Sequence, residues 1–210
     1  MSLLLSVQEM LNKLYEFPDR VVQPDEDRDQ FLVPWGFTIY RTFYGPGSDE
    51  QWSNLLQTIT TGTKHGLSKM EGGEHTVVTT KISELLYLDA RSDPTLLNGL
   101  TLEDVRNLYV DGTGGQPMNV ANDPWRVFFI ADAQVLQDPH LGLLKVVAAG
   151  YDSVAAAPRN GLRQRYFGWI TMPSATVVDL WVELDGYYLW EIVDFTAGGP
   201  GAYWDVDEIY

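Results

Sequence analysis

Phe37-Thr38-Ile39-Tyr40-Arg41-Thr42 alternates apolar and polar side chains, and Gly45-Pro46-Gly47 interrupts it before Ser48-Asp49-Glu50-Gln51-Trp52. The alternation has the period of a strand, and the Gly-Pro-Gly break ends it. Ser48 to Gln51 reads as a capping box, with Asp49 and Glu50 in the first turn, where carboxylates favour the helix dipole. Trp52, Leu55, Leu56 and Ile59 then recur at helical spacing, so a helix follows the strand directly. Gly62 and Gly66 are read as its fraying end.

Working outward, the same signals recur in irregular order. Upstream, Ser6-Val7-Gln8-Glu9 is a capping box, and Met10, Leu11, Leu14 and Tyr15 form an apolar stripe that ends before Pro18. Pro24-Asp25-Glu26-Asp27-Arg28-Asp29 is an acidic linker, which predicts an N-terminal helix packed as an appendage. Downstream, the β-branched run 76–81 and the apolar run 85–89 read as strands. Thr101-Leu102-Glu103-Asp104 opens a helix carrying Leu102, Val105, Leu108 and Tyr109. A Gly-rich loop, 111–117, follows. Strands are predicted over 125–131 (central), 143–149, 166–171 and 188–195. Residues 174–184 fit both periods and are assigned to a helix because Pro173-Ser174 resembles a helix start. This order predicts an α+β fold: a mixed β-sheet of ferredoxin-like character with helices mainly on one face, in a single domain. The expected boundaries are 1–30 for the helix and linker, 31–195 for the core, and 196–210 for a Gly-rich, then acidic-aromatic tail.

The 210 residues include 29 Asp and Glu against 14 Lys and Arg, a formal net charge of −15. That field repels phosphate backbones, so nucleic acid is not an expected partner. Arg159, Arg163 and Arg165 with Lys145 form a small basic patch, read as a solvated loop. The absence of cysteine excludes disulfides, zinc–thiolate sites and thiol nucleophiles, and fits a reducing compartment. No run approaches the ~20 apolar residues of a membrane span, and the start lacks a basic leader, so a soluble cytoplasmic protein is expected, with no membrane partner. Seven Trp and 11 Tyr exceed what a core of this size needs and are compatible with a ligand cleft or a partner surface.

The stretch from Trp35 to Gly45 followed by Ser48-Asp49-Glu50-Gln51-Trp52 resembles a widespread family of uncharacterised proteins from filamentous fungi, in which a GF-x-IYRT-x-Y strand leads into a DE-x-W helix. The 101–110 helix, the 128–136 segment FFIADAQVL and Gly168-Trp169 resemble later blocks of that pattern. The Gly-rich loops and the final tail depart from it. The resemblance implies an intracellular fungal protein and carries no activity with it.

Chemistry-bearing candidates are few. Arg41, flanked by Tyr40 and Tyr44 and preceded by Trp35, would either pair structurally with Asp49, Glu50 or Asp132 or bind an anionic ligand from a cleft. Asp132, just past the central strand, is either a site carboxylate or the cap of a short helix. His75 beside Glu74 is either a general base or an exposed turn histidine. The three histidines, His65, His75 and His140, lie far apart and form no metal motif. The 111–115 loop lacks the Gly-Lys-Ser/Thr ending of a phosphate loop, and no Gly-x-Ser-x-Gly elbow occurs. No cofactor is expected. The 202–210 tail, with Trp204, would either dock on a partner or fold back on its own sheet. Two functions follow: a non-catalytic binding protein for an unidentified protein or small molecule, or a cofactor-independent hydrolase, isomerase or cyclase. The latter would draw on Arg41, Asp132 and Tyr40 or other aromatic side chains in a sheet-face pocket.

Overall fold

A computed structural model describes residues 5–21, 23, 26–137, 142–154, 156 and 163–205. Helix α1 (Val7–Lys13) starts at the expected capping box, in which Ser6 accepts from Glu9 N and Glu9 accepts from Ser6 N. Its stripe of Val7, Met10, Leu11 and Leu14 is buried in the same apolar cluster as the sheet, and Val7 N donates to Glu71 O. A 3-10 turn, Arg28–Phe31, leads to strand β1 (Trp35–Arg41), every residue of which is buried.

Helix α2 (Ser48–Lys69) departs from expectation at both ends. No capping box forms, because the Ser48 hydroxyl accepts from Arg41 Nη2 and donates to Gly45 O. Nor does the helix fray at Gly62 and Gly66, which lie in its interior. A Cβ on Gly62 would overlap the Ala175 backbone, whose carbonyl carbon is only 2.7 Å away, and one on Gly66 would overlap a Val178 methyl. The two glycines are where α2 meets the 175–178 segment, and close approach explains them better than termination.

Residues read as a strand at 76–81 form helix α3 (Thr76–Glu84). β-branched residues lose only tenths of a kcal/mol each in a helix, and burial of Ile82 and packing of Val78 on the core outweigh that. Strand β2 (Leu86–Arg91) follows, then α4 (Pro94–Leu97) and α5 (Leu102–Asp111), the latter opened by the Thr101/Asp104 capping box. Strand β3 (Val127–Ala131) leads into α6 (Ala133–Gln137), β4 (Leu143–Ala148) and β5 (Trp169–Pro173). The ambiguous 174–184 stretch contains helix α7 (Val177–Glu183). The expected strand over 188–195 is instead helix α8 (Leu189–Ile192) running into a 3-10 turn, Val193–Phe195. Leu189, Ile192 and Val193, the residues it buries, have helical spacing, and Glu191 caps the Tyr188 N–H. Strand β6 (Ala202–Tyr203) returns the chain to its own sheet, and Trp204 is 2% exposed. Residues 206–210 of the tail, with His140 and Arg159, lie outside the described residues.

The six strands are ordered β2-β1-β3-β4-β5-β6. β1 is parallel to both β2 and β3; β4 is antiparallel to β3 and β5; β6 is parallel to β5. The fold is thus mixed α+β. The parallel trio at one side and the six-strand order differ from the ferredoxin-like arrangement. The chain moves from β1 to β2 through α2 and α3, and from β2 to β3 through α4 and α5. One face carries the large cluster of Phe37, Ile39, Phe129, Val146 and Ile170 under α1, α2 and α7. The other face is smaller, with Tyr40, Phe128 and Val147 under Val105 and Tyr109 of α5. Tyr109 stacks on Phe128 at 4.8 Å and Tyr40 meets it edge-on at 5.7 Å. No described helix is long and apolar enough to cross a membrane.

Candidate functional site

The residues singled out in the sequence fall mostly at the end of the sheet where β1 and β3 finish. Arg41 is 4% exposed and fully engaged by its surroundings. Its Nε donates to Phe43 O (3.0 Å), Nη1 to Ser92 Oγ (3.4 Å) and Nη2 to Ser48 Oγ (2.7 Å); Asp49 Oδ1 lies 2.6 Å from Nη2, and the guanidinium sits 4.4 Å over the Tyr44 ring. Arg41 thereby ties the segment after β1 to the segment after β2. Asp132 follows Ala131, the register partner of Arg41, yet the two side chains have different partners. Asp132 accepts from Val135 N, capping α6, and from Lys145 Nζ, which lies 5.0 Å over the Trp169 ring. Strand alternation places Arg41 with Ile39 on the α2 face and Lys145 with Val147 on the α5 face, so Arg41 and Asp132 are turned to opposite sides of the sheet.

Tyr40 is buried against Phe128; burial pushes its phenol up to about 12, and Arg91 donates to its oxygen at 3.4 Å. Arg91 also pairs with Asp89 at 2.8 Å and donates to Gly115 O and Thr113 O. The Gly-rich loop therefore offers carbonyls to an arginine, the reverse of the N–H cradle a phosphate needs. Trp35 is 3% exposed, donates from Nε1 to Ile82 O, and meets Trp181 edge-on at 5.6 Å. Trp204 is likewise a core residue. The His75 side chain is 68% exposed, 3.8 Å from Glu74. Among the described residues no group of three His, Asp or Glu is placed to hold a metal.

A different constellation lies at the opposite end of the sheet. Three irregular segments converge there: the residues before β3, those after β4 and those before β5. With α8 and its 3-10 extension they enclose a cleft of 780 Å³, lined by Arg126, Tyr151, Arg165, Tyr166, Tyr188 and Trp190. That volume is within the range that holds small organic ligands, ~300–1,000 Å³.

Behind the Tyr151 and Tyr166 wall of the cleft, a polar cluster is built in layers. Arg106 projects from the inner stripe of α5 and is 5% exposed. Its Nε donates to Ala148 O (3.0 Å), Nη1 pairs with Glu103, and the guanidinium lies 5.4 Å over the Tyr151 ring. Tyr151 meets Tyr166 edge-on at 5.4 Å, and Gln164 Nε2 donates to both Tyr151 Oη and Tyr166 O. Gly168 permits this stack, since a Cβ there would overlap the Tyr151 ring, with Cδ1 2.5 Å away. Three interior atoms have no hydrogen-bond partner among the described residues: Arg106 Nη2, Arg126 Nε and Tyr166 Oη. Burial raises the Tyr166 phenol well above its usual range, against a smaller pull from Arg106, so the hydroxyl stays a donor. Buried donors without partners are uncommon, because each forfeits its hydration for nothing in return.

The rim is of another character. Asp123, Asp152 and Asp194 also line the cleft, and Arg165, 3.9 Å from Asp194, donates to Val193 O and Thr196 O. Of the seven tryptophans, Trp190 alone is exposed, at 53%, and its ring lies 6.4 Å from that of Tyr188, nearly parallel to it.

The sequence reading did not single out Arg106, Arg126, Tyr151, Tyr166 or Trp190. One signal was present: Arg106 occupies the fourth-residue position of the stripe Leu102, Val105, Arg106, Tyr109, where a solvated helix would bury an apolar side chain. Arg165, read as part of a solvated basic patch, is a wall of the cleft, whereas Lys145 of that patch belongs to the Asp132 pair at the other end. No family model, curated protein or solved structure matches the chain.

Proposed function

We propose that this protein is a non-catalytic binding protein that holds a small organic anion in the cleft between α8 and the sheet end. The observation that carries the reading is a cavity of organic-ligand size lined by Arg126, Arg165 and Tyr166, with Arg126 Nε and Tyr166 Oη buried in its wall without a hydrogen-bond partner among the described residues. A carboxylate has the acceptors such donors lack, and guanidinium groups bind it in fixed geometry. The net charge of −15 and the rim carboxylates disfavour polyphosphates and nucleic acid and favour a singly charged ligand. Absence of cysteine and the resemblance of the 35–52 block to fungal intracellular proteins support a cytoplasmic location.

The test is calorimetric titration of the purified protein with benzoate, succinate and inorganic phosphate, repeated on Arg126→Met and Tyr166→Phe. Carboxylate binding that both substitutions weaken is expected. Tyr166→Phe should leave the ligand-free protein as stable as wild type or slightly more so, because it deletes an unpaired buried hydroxyl. Absence of binding by all three anions at millimolar concentration would refute the reading.

A second reading, a cofactor-independent enzyme acting on a small metabolite, would use the same Tyr166 as a hydrogen-bond donor to charge developing on a bound anion, since burial raises its phenol and makes it a weak proton donor. It requires turnover that Tyr166→Phe abolishes while binding persists.

A further inference from the structure

Trp190 and Tyr188 call for a separate explanation. The other tryptophans are buried or half-buried. Trp35, Trp125 and Trp181 make contacts at 5.6 and 5.8 Å, and Trp52 and Trp204 lie in the main core. Trp190 and Tyr188 instead stand on α8 and its cap with about half of each residue in water, 53% and 48%. Their position is imposed by the chain. Glu191 accepts from Tyr188 N at 2.8 Å, while Leu189, Ile192 and Val193 are buried beneath, which leaves 188 and 190 on the outward side. Both outward rings line the same cleft as Arg126 and Tyr166. The cavity therefore has a π surface on one wall and guanidinium and phenol donors on another.

We infer that the ligand of this cleft is an aromatic carboxylate, its ring lying on the Tyr188–Trp190 pair and its carboxylate directed at Arg126 and Tyr166. This rests on the anion-binding reading above and adds the ring. An aromatic ring gains from an offset or edge-on partner beyond the area it buries, and a nearly parallel Tyr–Trp pair presents two such partners at once. The carboxylate would meet the Arg126 guanidinium and Tyr166, which line the cleft. Asp123, Asp152 and Asp194 at the rim disfavour a second negative charge. A saturated carboxylate would meet Arg126 and cover the rings by area alone, without the ring–ring gain; an uncharged ring would have that gain and lack the charge.

The experiment uses three probes of similar size on the full chain: 2-naphthoate, 2-naphthol and decahydro-2-naphthoate. Each is titrated calorimetrically into wild type, Trp190→Ala and Arg126→Met, with melting curves confirming that each variant is folded. 2-Naphthoate is expected to bind wild type roughly tenfold tighter than its saturated analogue. Trp190→Ala should remove most of that difference by weakening 2-naphthoate more than decahydro-2-naphthoate, and Arg126→Met should weaken both acids. Equal affinity for the two acids, unaffected by Trp190→Ala, would overturn the aromatic inference and leave anion binding standing. 2-Naphthol binding as tightly as 2-naphthoate would overturn the carboxylate part. Failure of both acids to bind would overturn the anion reading and the inference with it.

Discussion

Replacing Gly62 by alanine sets two effects of known size against each other. In a helix interior, Gly→Ala is worth about 1 kcal/mol of stability, because alanine loses less backbone entropy. At Gly62 the new Cβ would overlap the Cα and carbonyl oxygen of Ala175 and stand 2.7 Å from its carbonyl carbon. Carbon atoms in contact prefer ~3.5–4.0 Å, so α2 and the 175–178 segment would have to separate by roughly 1 Å. Overpacking of a filled interior typically costs ~1–3 kcal/mol, and the upper part of that range applies where the obstruction is backbone. The net expectation is a destabilisation of about 1–2 kcal/mol. At about 2–4 °C per kcal/mol for a domain of this size, Tm should fall by roughly 2–8 °C. Scanning calorimetry and urea unfolding would read it. Gly66→Ala is the companion case. Its Cβ would overlap a buried Val178 methyl rather than backbone, with the next atom at 3.6 Å, so it should be less destabilising than Gly62→Ala. A Gly62→Ala protein that melts at or above wild type would show helix propensity dominating and would refute close packing as the reason for this glycine.

Arg41→Ala should destabilise the fold by about 2–3 kcal/mol in urea unfolding, because it strips charged donors from Ser48 Oγ and Phe43 O and the cation from the Tyr44 ring. Full stability with altered ligand binding would mark Arg41 as a binding residue instead. Trp204→Ala should cost about 3–5 kcal/mol, since the side chain is buried beside β6, and wild-type stability would show that this part of the tail contributes nothing to the core. Glu26 is held at about 2, below its ordinary 4.5, by hydrogen bonds from Arg20 and from Gln23 N. A depressed carboxylate stabilises the folded state fully above its unfolded pKa and loses that contribution as pH falls through its folded pKa. The Tm difference between wild type and Glu26→Gln should therefore be constant above pH ~5 and shrink toward zero between pH 4.5 and 2. A difference that does not change over that window would refute the assignment.

Local chemistry legible in the sequence was translated faithfully wherever a signal depended on neighbours in the chain. The Ser6/Glu9 and Thr101/Asp104 capping boxes formed, and the stripes at Met10–Leu14 and Trp52–Ile59 turned inward. Errors came where a long-range partner competed for a local group. Ser48 had the residues of a cap, but a buried guanidinium took its hydroxyl. The β-branched run after His75 had strand propensity, but its burial pattern suited a helix packed on the core. The 188–195 segment had the composition of a strand and the spacing of a helix, and burial of Leu189, Ile192 and Val193 selected the helix.

The same division holds for the site. Sequence by itself determined the acidic balance, the lack of thiol chemistry, the mixed α+β class and the apolar stripe of the 101–110 helix, because each depends on residue type or on short-range periodicity. Only tertiary structure decided that Arg41 and Asp132 are turned to opposite faces while Arg126, Tyr151, Tyr166 and Trp190 line one cleft. Those residues lie in segments separated by up to dozens of positions, and they meet because antiparallel β4 returns the chain to the end of the sheet where β3 begins. Strand order and direction settle that meeting, and no local pattern encodes them.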